Sequence, residues 1–251
     1  MIYFVGAGPG DVDLITVKGR DLLTRADIVI YAGSLVWDQH LKFCKEDCLQ
    51  FNSAGMTLEE VIDVMKKNDR PEKVIVRLHT GDPTIYGAIR EQITFLDEEN
   101  MSYRVIPGVS SFTAACAVIN REFTVPGVSQ TIIVTRMEGK TPVPELEDLE
   151  RLASHQSSMA IFLSVQEIDK VLEKLKRGYK RSDVPVSVVY KATWPDQQVL
   201  EGTLEDIGEK VKQAGITRFA QILVGDFIAG DFERSLLYHP EFSHGYRKGK
   251  K

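Results

Sequence analysis

Residues 74–92, VIVRLHTGDPTIYGAIREQ, constrain the chain most. Val74, Ile75, Val76 and Leu78 form a short run of β-branched and apolar side chains that reads as a buried strand. Thr80-Gly81-Asp82-Pro83 follows, with φ fixed at Pro83 and a conformationally free residue at Gly81, the composition of a tight turn. Beyond Gly87, the residues Ala88, Ile89, Gln92, Ile93 and Leu96 fall at helical spacing. Strand, turn and helix in this order make the repeating unit of an open α/β sheet. Such sheets take their ligands at the carboxyl ends of strands, where turns of this kind sit. Most of these turns are plain connections, so the rest of the chain must decide whether this one binds.

The same alternation runs through the sequence. Ile2 to Val5 reads as a first buried strand, followed by the loop Gly6-Ala7-Gly8-Pro9-Gly10-Asp11 and a helix capped by Thr16. Ile28 to Tyr31 is a second strand, expected to be a parallel neighbour of the first. Thr57 with Glu60 is a capping box for a helix to about residue 67. Tyr103 to Ile106 is a strand, and Pro107-Gly108-Val109-Ser110-Ser111 leads into a small-residue helix. The pattern pauses near residue 120, which sets the expected organisation: an N-terminal α/β domain over 1–120, a C-terminal α/β domain over 121–240, and a polar tail over 241–251 whose end is frayed from Arg247. The second half carries strand patterns at 131–135, 159–163, 185–190, 199–202 and 220–224, with helices between them. Each domain is therefore expected to be an open, largely parallel or mixed sheet flanked by helices.

Composition narrows the function. A net charge of −5 over 251 residues gives no global basic field for nucleic acid. Three cysteines fit a reducing compartment, no signal-peptide pattern opens the chain, and no apolar run is long enough to span a bilayer, so a cytoplasmic, membrane-free protein is expected. The glycine loop fails as a dinucleotide fingerprint: Asp11 stands where the third glycine belongs, Pro9 removes a donor, and the second strand ends in Tyr31-Ala32-Gly33-Ser34 without an acid. His40, Cys44 and Cys48 would share one face if a helix formed there. They lack the four ligands and close cysteine pair of structural zinc, and no metal is expected. Nucleophile-elbow, P-loop and zincin motifs are absent. The loops gathered at strand ends are rich in small residues and poor in acid–base groups, which suits an enzyme whose cofactor carries the reactivity. His79 and Tyr31 are the only weak candidates for proton transfer.

GAGPGD after the first strand, Thr80-Gly81-Asp82-Pro83, and PGVSS before a small-residue helix resemble the tetrapyrrole methyltransferases, and the resemblance covers nearly the whole chain. Within that family, Ser53-Ala54-Gly55-Met56, the run Thr135-Arg136-Met137-Glu138-Gly139-Lys140-Thr141-Pro142-Val143-Pro144-Glu145, Tyr190-Lys191-Ala192-Thr193-Trp194-Pro195-Asp196 and the ending Phe242-Ser243-His244-Gly245-Tyr246-Arg247 are similar to the members that methylate C11 of precorrin-4 in cobalamin synthesis. The resemblance implies S-adenosylmethionine as cofactor, a corrin tetrapyrrole as substrate and a homodimer. It implies cofactor contacts, drawn from both halves, at Pro9, Thr80, Gly81, Asp82, Ile85, Ser110, Ser111, Leu163, Ala192 and Ala220. It turns Gly8 and Gly10 toward the tetrapyrrole and makes Arg136 and Lys140 the first choices to meet its carboxylates, with Lys191, Arg77 and Arg90 behind them. Uroporphyrinogen methyltransferases carry an Asp and a Lys where this chain has Ala32 and Asn52, which argues against that substrate. A methyltransferase of the same fold acting on another corrin carbon, or on another substrate, is the alternative.

Overall fold

The computed structural model describes residues 1–250. The chain divides into two compact units. Residues 1–114 together with Lys191–Gln197 form the first; Ala115–Tyr190 together with the chain from Gln198 onward form the second.

The first unit contains β1 (Ile2–Gly6), α1 (Val17–Arg25), β2 (Ile28–Tyr31), β3 (Leu49–Asn52), α2 (Leu58–Asn68), β4 (Ile75–His79), α3 (Ile89–Glu98) and β5 (Tyr103–Ile106). All five strands are parallel, in the order β3-β2-β4-β1-β5. Helices cover both faces, so the central strands are largely apolar on both sides, with Arg77 and His79 of β4 as the buried exceptions. Val5, Val29, Val76 and Leu78 pack with Leu22 and Leu23 of α1. Ile2, Phe4, Ile28, Ile30 and Ile75 pack on the other face with Val61, Ile62 and Met65 of α2 and Leu96 of α3. Each such side chain contributes roughly 1.5–3 kcal/mol on burial. Thr16 caps α1 by accepting from the Gly19 N–H, and Thr57 and Glu60 form both bonds of the capping box on α2.

β1 and β2 are parallel but not neighbours, because β4 lies between them. The connection from β1 runs one way along the sheet through α1, and that from β4 runs the other way through α3 on the opposite face. The adjacent pair β1 and β4 is thus the topological switch point, and the glycine loop and the Gly81-Asp82-Pro83 turn stand at its carboxyl edge. The segment around His40, Cys44 and Cys48 is no α-helix: a 3-10 helix over Asp38–Phe43 ends at Cys44, and β3 follows as an unforeseen edge strand.

α4 (Ser111–Val118) carries the chain from the first unit into the second. The second unit contains β6 (Ile132–Arg136), α5 (Leu149–Ala153), β7 (Ser158–Phe162), α6 (Ile168–Tyr179), β8 (Pro185–Tyr190), β9 (Gln198–Thr203), α7 (Ile207–Gln213) and β10 (Ala220–Val224). The sheet is mixed, in the order β6-β7-β10-β8-β9, with only β6 and β7 parallel. Its core joins Met159, Ile161, Val186, Val188, Ile222 and Val224 to the apolar stripes of α5, α6 and α7. In the tail, Arg247 Nη2 donates to the carbonyls of Leu237, His239 and Phe242, while Lys251 lies outside the described residues.

Candidate active site

Three loops meet at the carboxyl edge of the first sheet. Gly8 and Gly81 face each other as an isolated antiparallel bridge, with Gly81 N–H donating to Gly8 O at 2.8 Å and Gly8 N–H to Gly81 O at 3.3 Å. Gly81 holds φ +59, a left-handed value that a side chain would strain. The third loop, Pro107 to Ser111, is clamped by Asp82. One Asp82 carboxylate oxygen accepts from Gly108 N–H at 2.9 Å; the other accepts from Thr84 N–H at 2.8 Å and Thr84 Oγ1 at 2.5 Å. Asp82 is therefore a positioning carboxylate whose lone pairs already hold two turns together. Ile85 is tied in through its N–H to Asp82 O at 3.2 Å. A Cβ built on Gly81 would lie 3.6 Å from Ser111 N and 3.7 Å from Ser110 Cα. Pro9, Thr80, Gly81, Asp82, Ile85, Ser110 and Ser111 thus belong to one connected edge.

The glycine loop has a lid from far along the chain. Trp194 Nε1 donates to Pro9 O at 2.9 Å, and Asp11 N–H donates to Thr193 Oγ1 at 3.0 Å. A Cβ on Gly10 would strike the Trp194 indole at 2.1 Å. The close approach that this glycine permits is made by Trp194. Trp37 stacks on Trp194 with ring centroids 5.4 Å apart, and Lys191, paired with Asp196 at 2.5 Å, sits 5.2 Å from the Trp194 ring centroid. Ala192, buried, lies in the same segment. Lys191 and Thr193 both hold left-handed backbone, at φ 46 and 70.

In the second unit, Leu163 and Ala220 stand at one sheet corner. Ile161 pairs with Ile222 in antiparallel register, which sets Leu163 just past β7 opposite Ala220 at the start of β10; Ala220 pairs with Tyr190 on its other side. Leu163 is 68% exposed and left-handed at φ 54, and Phe219 is left-handed at φ 58. Arg136 ends β6, and its guanidinium donates to the carbonyls of Met137, Thr141 and Pro142, bracing its own loop. Lys140 is exposed on that loop and helps line a cavity of about 520 Å³ with Glu138, Glu145, Asp148 and Arg151.

His79 and Arg77 project to the α3 side of β4 and are both buried, at 4% and 7% exposure. Burial, with the Arg77 charge beside it, pushes His79 down to about 3, so the imidazole is neutral at physiological pH and a weak base. Its Nε2 has no partner. Tyr31 is half-buried at the end of β2, its carbonyl accepting from Ser53 Oγ at 3.0 Å. Tyr31 and Asn52 are register partners, and Asn52 packs where a Cβ on Gly33 would fall. Cys44 and Cys48 share a hydrogen bond that raises the Cys44 thiol, with burial adding to the rise, and lowers the Cys48 thiol against the opposing effect of burial. Among the described residues no group of three or more His, Cys, Asp or Glu is arranged to hold a metal ion, and no helix is long and apolar enough to cross a membrane.

Sequence reasoning missed Trp194 and Trp37 as parts of this edge. The one available signal was the pairing of a glycine-rich loop with an aromatic in a turn of small residues, without any indication that the two meet.

The chain is similar to proteins with known names. A Methanocaldococcus jannaschii protein named cobalt-precorrin-4 C(11)-methyltransferase is 52% identical over 251 residues, covering 100% of this chain and 97% of that one. A solved structure described as the cobalamin biosynthetic enzyme cobalt precorrin-4 methyltransferase superposes with a TM-score of 0.89 at 44% identity, over 91% of this chain and 96% of that one. Uroporphyrin-III C-methyl transferase from Thermus thermophilus, solved with S-adenyl homocysteine, shares the fold at a TM-score of 0.76 and 24% identity, over 90% of this chain and 98% of that one. Residues 1–208 match the family described as Tetrapyrrole (Corrin/Porphyrin) Methylases. With two α/β units and relatives alike from end to end, the chain belongs to the tetrapyrrole (corrin/porphyrin) methylases.

Proposed function

We propose that the protein transfers a methyl group from S-adenosylmethionine to C11 of precorrin-4 or its cobalt complex. The observation that carries this reading is the likeness to proteins named for that reaction along the full chain. A fit to the cofactor is supported by the first unit, where the atoms nearest a Cβ on Gly81 are backbone atoms of Val109, Ser110 and Ser111 at 3.6–3.9 Å. S-adenosylmethionine, when bound, supplies an electrophilic methyl on a positively charged sulfur.

The chain's share is position. Rigid loops that fix two reactants in line can contribute up to ~7–11 kcal/mol of barrier lowering. The Gly8–Gly81 bridge and the Asp82 clamp hold the loops of the first unit in fixed relation, which is what such alignment needs. Gly81's own N–H and C=O are engaged by Gly8, so this turn contributes shape more than donors. Leu163 and Ala220 are the candidate cofactor residues of the second unit. Lys140, exposed, is the cation to meet a substrate carboxylate, with Arg136 holding its loop in form. Gly8 and Gly10 would serve the tetrapyrrole through the loop that Trp194 caps. Of the two candidates for proton transfer, Tyr31 stands half-buried at the end of β2, and His79, sealed and held neutral, is the weaker. The reading carries with it a cytoplasmic location and a homodimer, and sedimentation of the purified protein checks the homodimer. The deciding experiment incubates the protein with methyl-labelled S-adenosylmethionine and precorrin-4, with and without cobalt, and locates the new carbon by NMR. A label at any other position, or no transfer in either arm, overturns the reading.

A further inference from the structure

Arg77 is a cation buried without a carboxylate. It sits on β4 in register with Phe4 and Ile30, on the face that packs against α2 and α3, and is 7% exposed. Its protein acceptors are two neutral oxygens: Nε donates to Gln92 Oε1 at 3.2 Å and Nη1 to the Ile30 carbonyl at 3.2 Å. Gln92 is itself fixed, its Nε2 donating to Ala88 O at 3.0 Å at the start of α3. A guanidinium carries five N–H donors in a planar fork that matches a carboxylate, so most of this one's capacity is unused. The nitrogen left over, Nη2, is not among the sealed, unpartnered atoms, whereas His79 Nε2 two residues on is sealed and has no partner. Burying a charge is costly unless an opposite charge or full hydrogen bonding compensates. The first sheet supplies no such anion at this position.

We propose that Arg77 forms a carboxylate-binding subsite on the α3 side of the sheet's carboxyl edge, and that the ligand brings the missing negative charge. The inference rests on the methyl-transfer reading, in which two carboxylate sources exist: the amino-acid end of the cofactor and the acetate and propionate edge of the tetrapyrrole. The shared chemistry is a carboxylate paired side-on with a guanidinium that Gln92 and Ile30 hold in one orientation. Thr80 and Gly81 follow directly on the strand, which puts this cation at the root of the candidate cofactor turn.

The test uses the full-length protein. S-adenosylhomocysteine, its decarboxylated analogue and uroporphyrin, an octacarboxylate, are titrated calorimetrically against wild type, Arg77→Lys and Arg77→Met. In Arg77→Met we expect roughly thirty-fold or greater weakening for whichever carboxylate ligand the subsite takes, with partial recovery in Arg77→Lys. Loss confined to S-adenosylhomocysteine, with the decarboxylated analogue insensitive to the substitution, assigns the cofactor; loss confined to uroporphyrin assigns the substrate. Wild-type affinity for both in a folded Arg77→Met overturns the subsite and leaves the methyl-transfer reading standing. Failure of the wild type to bind either ligand overturns both. Should Arg77→Met not fold, ¹⁵N spectra of the wild-type arginine side chains decide: the buried Nη resonances shift on addition of one of the two ligands, and no shift with either refutes the inference.

Discussion

Replacing Gly108 by alanine tests whether the three-loop contact at the switch point is as tight as the structure has it. A Cβ there would lie 2.2 Å from Gly81 O and 2.9 Å from Gly6 Cα, where ordinary contact begins at 3.4 Å. Both obstacles are backbone, so no side chain can swing aside, and one loop must retreat by about 1 Å. Retreat of the third loop breaks the Asp82–Gly108 bond, a charge-assisted contact worth about 1.5–3 kcal/mol. Retreat of the second loosens the two Gly8–Gly81 bonds, at about 0.5–1.5 kcal/mol each. Overpacking alone typically costs about 1–3 kcal/mol, and the expected total is about 2–4 kcal/mol. For a chain of this size that lowers Tm by about 4–16 °C in a circular-dichroism melt. S-adenosylhomocysteine should also bind more weakly, because the displaced loops are the candidate cofactor loops. Gly55→Ala is the control: nothing lies within 4 Å of its Cβ, and its effect should stay within about 0.5 kcal/mol. A Gly108→Ala protein melting within about 1 °C of wild type would refute the reasoning.

Three further outcomes are expected. The chain has two tryptophans, and they stack on each other. Wild-type emission should therefore fall below the summed emission of Trp37→Phe and Trp194→Phe, and equality would show that the rings do not meet. Asp27 accepts from Lys45, Lys73 and Val74 N–H, which hold its carboxyl well below the ordinary carboxylate range. The unfolded chain then takes up protons first as pH drops, so the stability from this carboxylate is complete above about pH 5 and is lost on acidification. Asp27→Asn should be less stable at neutral pH and lose less between pH 5 and about 2; parallel acid limbs for the two proteins would contradict this. His79 should remain neutral at pH 5 in ring NMR spectra, since burial and Arg77 push it to about 3, and a charged ring there would mean that the site is open to water.

Much of the first unit could be read from the chain because its strands are apolar on both faces and bounded by turn residues. Thr57 and Glu60 announce α2 by the bonds they make. β3 escaped notice because Leu49-Gln50-Phe51-Asn52 is an edge strand, mostly exposed, without the apolar run that marks a buried one. Neighbour order escaped notice for another reason: βαβ connectivity fixes that β1 and β2 run parallel, and insertion of β4 between them is decided by long-range packing. At the site, Gly81 and the serines of the third loop could be located in the sequence. Asp82's service as a clamp could not be read there, because Gly108 lies 26 positions away. Arg136 was expected to face a ligand; its three carbonyl acceptors belong to the fold-back of its own loop, which only the backbone path creates.

The cap on the glycine loop sets an order of events during synthesis. Every strand of the first sheet has been made by residue 106, yet the partners of Pro9 and Asp11 lie 185 and 182 positions downstream. Contacts this distant in sequence form late, after their long loop has closed. A chain emerging from the ribosome can complete its first sheet while residues 6–11 still lack the indole that covers Gly10, and a fragment ending before residue 191 never acquires it. The glycine-loop edge of the first sheet is therefore finished only after most of the second unit's sequence has been translated.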